Sequence, residues 1–214
     1  MAERGLRSVI VIGGGEPTVY PGFEDLIRHM KGLGLKVGIV TNGSGMKKIL
    51  DVADCFDEQD WVRLSLDSGT DETFQAMHKP RKAITLDQIC EGIPPVKAKN
   101  PRVKLGFSYI IVWKDCEAND TKIHENVQEI VTAAERARRY QFDYISFKPF
   151  LNRAESNNAE IVGLTQEESR LGPIMAQIRG LVDEAKKLNT DTFRVIESTN
   201  LKVLVNGTYR NYTD

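Results

Sequence analysis

The sequence predicts an α/β fold, a parallel sheet of about five to six strands with helices packed outside it, and two observations carry that reading. Apolar strand runs and amphipathic helix runs alternate along the chain without an obvious linker, and such alternation builds parallel sheets through right-handed crossovers. Polar residues also gather at the carboxyl ends of the strands, where ligands bind in folds of this kind. Alternation alone permits an open, doubly wound sheet or one curled into a barrel, and five or six units are too few for a closed eightfold barrel. One domain spanning residues 1–214 is expected, because 214 residues are enough for one sizeable core.

Arg7 to Ile12 is apolar after its first two residues and is ended by Gly13-Gly14-Gly15, so it reads as a strand buried on both faces. Phe23, Leu26, Ile27, Met30 and Leu33 then recur at helical spacing, and Gly34 stands where a C-cap glycine stops a helix. Lys36 to Val40 reads as the second strand and ends in Thr41-Asn42-Gly43; a short helix near Met46 to Ala53 follows. Trp61 to Leu66 is the third strand, ending in Asp67-Ser68-Gly69. Thr85, with Gln88 three residues on, has the spacing of a capping box, and Pro94-Pro95 predicts a kink or break in the helix it opens. Val103 to Val112 is the fourth strand and leads to a long amphipathic helix carrying Ile123, Val127, Ile130, Val131 and Ala134. The fifth strand is Tyr144 to Lys148. After a polar loop from Asn152 to Glu160, Thr165 and Glu168 form another capping box, and Ile174, Ile178, Leu181 and Ala185 mark a helix running to about Leu188. Phe193 to Glu197 is a candidate sixth strand, and Asn206 to Asp214 has hairpin-like turn chemistry.

Composition narrows the function. Lysine plus arginine total 29 and aspartate plus glutamate 30, a balance that does not suit phosphate-backbone binding, so no nucleic-acid partner is expected. No apolar run approaches a membrane span, and Met1-Ala2-Glu3-Arg4 lacks a signal-peptide core, so a cytoplasmic protein is the default. Cys55, Cys90 and Cys116 are odd in number and widely scattered, which fits structural thiols better than a disulfide framework or a CxxC metal clip. His29, His78 and His124 have no cysteine or carboxylate at ligand spacing. Arg136, Arg138 and Arg139 read as the solvated end of the long helix, and Lys79 to Lys82 as a loop.

The strand ends offer Gly14-Gly15-Glu16, Thr41-Asn42, Asp67-Ser68, Lys114-Asp115 and Lys148-Pro149. Alternate positions share a face, which groups Arg63, Ser65 and Asp67 on the third strand and Tyr144, Ser146 and Lys148 on the fifth. A dry barrel would carry branched apolar residues there. The polar set instead points to an incomplete, partial (β/α) barrel around a large polar ligand, with the solvent side of a sheet edge as the alternative. Gly13 to Pro17 is the most specific local signal: glycines permit positive φ and close approach of a ligand, and Glu16 adds a negative charge suited to a cationic group. A phosphate loop fits less well, since no GKS/T follows.

Gly14-Gly15-Glu16-Pro17 after the strand Val9 to Ile12, Thr41-Asn42-Gly43 after the next strand and Ser65-Leu66-Asp67-Ser68 after the third resemble the successive strand-end motifs of the radical S-adenosylmethionine (radical SAM) superfamily. The likeness covers most of the chain, and three motifs in the right order make it specific. Val62 to Ser68 and Ile145 to Pro149 are most similar to maturase-like members that modify peptides, proteins or cofactors. The resemblance implies that Gly14, Gly15 and Glu16 lie along the methionine part of S-adenosylmethionine and accept hydrogen bonds from its amino group. It further implies that Asn42 supports that end, that Ser65 and Asp67 lie near the ribose or the methionine carboxylate, and that Ser108 and Lys148 line the cavity where cofactor and substrate meet.

The same resemblance implies a 4Fe-4S cluster held by a CxxxCxxC motif, which delivers the electron that splits the sulfonium and releases a 5′-deoxyadenosyl radical. This sequence has no such motif, and only twelve residues precede Gly13. The expectation is therefore a chain without the family's first strand and cluster loop, truncated at both ends and inactive alone. The substrate, a peptide or a small molecule, is not legible. A missing first strand would leave Val9 to Ile12 as an exposed edge able to recruit a second copy. The alternatives are a degenerate, non-catalytic domain that binds a ligand or a partner, and an unrelated partial-barrel enzyme using Glu16, Asp67 and Lys148 as acid, base and electrophile.

Overall fold

The computed structural model describes residues 5–118, 121–153, 160–161 and 168–206. Six strands form one parallel sheet: β1 (Ser8–Val11), β2 (Lys36–Thr41), β3 (Trp61–Ser65), β4 (Lys104–Ile111), β5 (Tyr144–Pro149) and β6 (Arg194–Glu197). Their spatial order is their chain order, and every pairing is parallel. A sheet whose order never reverses has no switch point, so right-handed crossovers place the helices on one face, as in a barrel and unlike a doubly wound sheet. The sheet does not close, and β1 and β6 are its edges.

Register settles which side chains share a face. Ile10 stands opposite Gly38 and Gly38 opposite Trp61; Arg63 is opposite Gly106 and Gly106 opposite Tyr144; Ser65, Ser108 and Ser146 form one cross-strand row. These residues make the inner face. Val37, Ile39, Val62, Leu64, Leu105, Phe107, Ile145 and Phe147 lie on the outer face, each at most 1% exposed. Against them pack Ile27 of α1 (Phe23–Gly32), Ile49 of α2 (Met46–Val52), Ile89 of α4 (Leu86–Cys90), Ile93 of α5 (Ile93–Lys99), Ile130 of α6 (Ile130–Arg139) and Ile178 of α7 (Glu168–Lys186). At roughly 1.5–3 kcal/mol for each large side chain withdrawn from water, this outer layer is the main source of stability.

The amino ends of the strands are tied by two equivalent devices. Asp60, immediately before β3, accepts from the Val37 amide of β2 at 2.6 Å and from the Asp57 amide at 2.8 Å, while Lys31 of α1 lies 2.6 Å away. Asp143, immediately before β5, accepts from the Leu105 amide of β4 at 2.7 Å and pairs with Lys97 of α5 at 3.0 Å. Each carboxylate takes a strand-end amide that has no ladder partner and is neutralised by a lysine from a helix. Rings lie over the inner face at this end: a Cβ on Gly38 would collide with the Trp61 indole, and one on Gly106 with the Tyr144 ring. Glycine is required at both places because an aromatic ring occupies the side-chain position.

Several expectations need correction. β1 is half-exposed rather than buried on both faces, with Ile10 56% accessible, because only β2 flanks it. The break expected at Pro94-Pro95 is present and needs no correction: α4 ends at Cys90 and the prolines stand in the first turn of a separate helix, α5, at positions where a missing N–H costs nothing. Ile123 lies outside the long helix, beyond a two-stranded hairpin of Glu117–Ala118 with Thr121–Lys122; a 3-10 turn, Val127–Glu129, precedes α6. Two helices went unanticipated, α3 (Asp71–His78) and α8 (Thr199–Val205), each opened by a side-chain cap, Thr70 and Ser198. Thr165 and residues 207–214 lie outside the described residues. Among the described residues no helix is long and apolar enough to cross a membrane.

Candidate functional site

The loop after β1 exposes its backbone. A Cβ placed on Gly13, Gly14 or Gly15 would meet nothing within 4 Å. None of the three has positive φ, which corrects the expectation that the run serves backbone conformation; its property is an unobstructed main chain. Glu16 fixes this loop to the next one. Its Oε1 accepts from the Thr18 amide at 3.0 Å and from the Thr18 and Thr41 hydroxyls at 2.6 Å each, and its Oε2 accepts from the Asn42 amide at 2.6 Å. The Asn42 side chain in turn accepts from the Ser44 amide at 2.8 Å, in a turn where Gly43 takes φ 81°. The Glu16 carboxylate is thus engaged within the fold, and the loop presents glycine main chain to a ligand.

Asp67 sits just past β3 with φ 51°, in the left-handed region. Its Oδ1 accepts from the Ile110 amide of β4 at 2.7 Å, replacing the backbone acceptor that β3 no longer supplies there. Burial pushes its carboxyl up from the ordinary range, opposed by the Ile110 N–H and the charges of His78 and Lys148. His78 Nε2 is 3.6 Å from Asp67 Oδ2 and 2.9 Å from the Leu66 carbonyl, so this histidine does have a carboxylate partner, contrary to the sequence reading.

Two further residues hold the rim together without having been singled out. Asn126, 1% exposed, donates to the carbonyls of Asp67 (2.7 Å) and Ile110 (2.8 Å) and accepts from the Val112 amide (2.8 Å). Glu129 accepts from the Gly69 amide at 2.7 Å, the Thr70 amide at 3.0 Å, and the Thr70 and Thr73 hydroxyls at 2.7 Å each. Burial pushes the Glu129 carboxyl up, but these donors outweigh it and hold the group below its usual range. Arg136 is not at a solvated helix end: its Nε donates to the Gly69 carbonyl at 2.9 Å, and its guanidinium also bonds Asp87.

Between the aromatic floor and this rim the inner face is polar. Ser65, Ser108 and Ser146 stand in register, and Lys148 Nζ reaches the Ser108 hydroxyl at 3.4 Å. Burial and the nearby Arg63 charge push the Lys148 ammonium down from its ordinary value. Arg63 lies over the Trp61 ring at 5.4 Å, and its Nε is enclosed with no hydrogen-bond partner. A cavity of about 460 Å³ opens beside Lys148, lined by Ile110, Pro149, Phe150, Ser198 and Asn200 among others. The expected residues therefore fall into two groups on one rim: Gly14, Gly15, Glu16 and Asn42 over β1 and β2, and Ser65, Asp67, Ser108 and Lys148 over β3 to β5.

The residues fit S-adenosylmethionine but not an iron–sulfur cluster. An open glycine main chain, in which the Gly13 carbonyl accepts from the Gly15 amide at 2.6 Å and Gly14 and Gly15 face open space, suits a cationic amino group, and the serine row suits polar atoms of a nucleoside. The three cysteines are dispersed. Burial raises all three thiols, Cys90 to about 12 and Cys116 to about 11, which disfavours the thiolate a cluster needs.

An incomplete parallel barrel with an exposed glycine loop on its first rim position defines a class, and the sequence agrees: the profile of the radical SAM superfamily matches residues 1–121, and the chain belongs to that superfamily. An S-adenosylmethionine-dependent nucleotide dehydratase of Flammeovirga pacifica is 35% identical over 89 residues, 42% of this chain and 30% of that protein. A protein described as GTPase Obg from Brachyspira hyodysenteriae is 31% identical over 130 residues, 60% of this chain but 18% of its own length. Streptococcus suis SuiB superposes with a TM-score of 0.61 at 13% identity, over 97% of this chain and 42% of SuiB; its S-adenosylmethionine-bound form gives 0.58 over 89% of this chain and 39% of SuiB. At that identity the likeness shows the fold. The chain spans less than half the length of each of these relatives.

Proposed function

We propose that this chain is the S-adenosylmethionine-binding core of a radical SAM enzyme, with superfamily membership as the background and the open glycine loop clamped by Glu16 as the observation that carries it. In this reading Gly14 and Gly15 offer main-chain carbonyls to the methionine amino group. Glu16 holds the loop in place through Thr41 and the Asn42 amide, so that Asn42 supports the methionine end. Ser65 and Asp67 lie toward the ribose or carboxylate, and Ser108 and Lys148 line the space shared with the substrate. The cofactor supplies the cleavable sulfonium of the family's radical chemistry; the protein's part is to bind it, orient it and shield it.

The three dispersed cysteines, two of them buried and Cys55 partly so, favour a companion statement: this chain by itself holds no cluster and does not cleave S-adenosylmethionine. A non-catalytic binding domain is the second reading they support. Reconstitution with iron and sulfide should leave the visible spectrum unchanged, and a stable cluster spectrum would contradict the statement. Calorimetric titration with S-adenosylmethionine tests the main reading. Binding weakened at least tenfold by Glu16→Ala is expected, whereas no heat with the wild-type chain would remove the proposal's basis. Self-association through β1 belongs to the same picture, since Ile10 on this edge strand and Ile12 just after it are 56% and 61% exposed. Sedimentation should show dimer at high concentration, reduced by Ile10→Lys.

A further inference from the structure

The inner face carries two cations and three hydroxyls, and neither cation forms an ion pair among the described residues. We propose that it holds the anionic group of a substrate, a carboxylate or phosphate seated on the Ser65, Ser108 and Ser146 row between Arg63 and Lys148. The inference takes the strand carboxyl ends as the binding site, as the proposed function does, and adds the chemical class of the molecule bound there.

Four observations carry it. Ser65, Ser108 and Ser146 lie side by side on β3, β4 and β5, below Lys148 and above Arg63 along the strands. Of these hydroxyls only that of Ser108 meets a protein group among the described residues, and that group is the Lys148 ammonium at 3.4 Å. Arg63 makes no ion pair among the described residues, and its Nε is buried without a partner, a state that is unfavourable until an acceptor arrives. The Trp61 and Tyr144 rings lie beneath the row, where with Arg63 they line a pocket of about 230 Å³ at the amino ends of the strands, and the serines and Lys148 stand on the rim side of them.

The charges around this row do not cancel. Asp67 is the carboxylate facing Lys148, and it is already engaged by the Ile110 amide and approached by His78. Glu16 is engaged by Thr18, Thr41 and Asn42, Glu129 by Gly69, Thr70 and Thr73, and Asp143 by Lys97 and Lys104; on the amino-end side of Arg63, Asp60 is engaged by Val37, Asp57 and Lys31, and Glu58 lines the pocket without forming an ion pair with Arg63. A guanidinium and an ammonium flanking a row of hydroxyl donors form a receptor for a compact anion, the guanidinium providing two parallel donors. The adjoining cavity of about 460 Å³, with Ile110, Pro149 and Phe150 in its wall, takes the less polar remainder of the molecule.

The test is calorimetric titration of the full chain with inorganic pyrophosphate, alone and after saturation with S-adenosylmethionine. Pyrophosphate should bind the wild-type chain in both conditions. Arg63→Gln and Lys148→Met should each weaken it at least tenfold, and Lys148→Arg should recover most of the loss. Arg63→Gln should leave S-adenosylmethionine affinity within twofold, and thermal melts within a few degrees of wild type will show that the variants are folded. Unchanged pyrophosphate affinity in both variants, or no binding to wild type, would overturn the proposal. So would displacement of pyrophosphate by S-adenosylmethionine together with a parallel loss of both in Arg63→Gln, because the anion would then be the cofactor's own carboxylate. If pyrophosphate binding depends on Arg63 and Lys148 while S-adenosylmethionine fails to bind, the anion site stands and the cofactor reading falls.

Discussion

The two faces of the central sheet are built from the same strands by opposite rules. Leu64 and Ser65 are neighbours on β3, yet Leu64 is fully enclosed under helices while Ser65 faces a hydroxyl row and open space. Outside, eight branched or aromatic residues from four strands pack at interior density; inside, glycine, serine and cations take the corresponding places. A closed barrel must fill its interior with side chains, so stability and binding compete for the same positions. Here the helices on the outer face supply the stability, and the inner face is left to chemistry.

This contrast can be broken most forcefully at β4. Phe107→Ala should cost about 3–5 kcal/mol in denaturant unfolding, whereas Ser65→Ala should stay within about 0.5 kcal/mol; comparable losses would mean that the inner face is a second core. A smaller effect tests the floor. Gly106→Ala puts a methyl group into the Tyr144 ring and should cost about 1–3 kcal/mol, and Tyr144→Ala in the same chain should relieve part of that cost, which a double-mutant cycle would read as coupling. Independent, additive losses would separate the two residues.

The smallest effect concerns pH. Glu129 has its folded-state pKa lowered, so its contribution is complete above the ordinary glutamate range, about pH 4.3, and is lost as pH falls through the depressed folded value. Melting temperature should therefore fall on acidification below about pH 5, and Glu129→Gln should flatten that slope. An unaltered slope would show that the rim contacts do not depend on the charge.

The parts of this contrast that lay in the sequence were the periodic ones. Alternation exposed the polar set Arg63, Ser65, Tyr144, Ser146 and Lys148, and the apolar helix stripes gave the outer layer, because both follow from repeats of two and of three to four residues. The glycine, asparagine and aspartate strand-end motifs were visible as motifs, but their partners were not. Glu16 meets Thr41 and Asn42 across 25 and 26 positions, and Glu129 meets Gly69 and Thr70 across 60 and 59; no local spacing encodes such pairs. The roles of Asn126 and His78 were hidden for the same reason, since their partners Asp67 and Ile110 are far from them in sequence or unmarked by spacing. Helix α3 did leave a signal, Thr70 before Asp71 and Glu72 at the acidic first turn.

The two tryptophans, finally, differ in their surroundings. Trp113 is 4% exposed in the apolar layer, while Trp61 lies half-buried in the floor with the Arg63 guanidinium 5.4 Å above its ring. Indole emission responds to nearby charge and hydration, so whatever draws Arg63 away will alter the light from Trp61 and leave that from Trp113 as a constant background. The protein carries its own optical gauge of whether the space above its floor is filled.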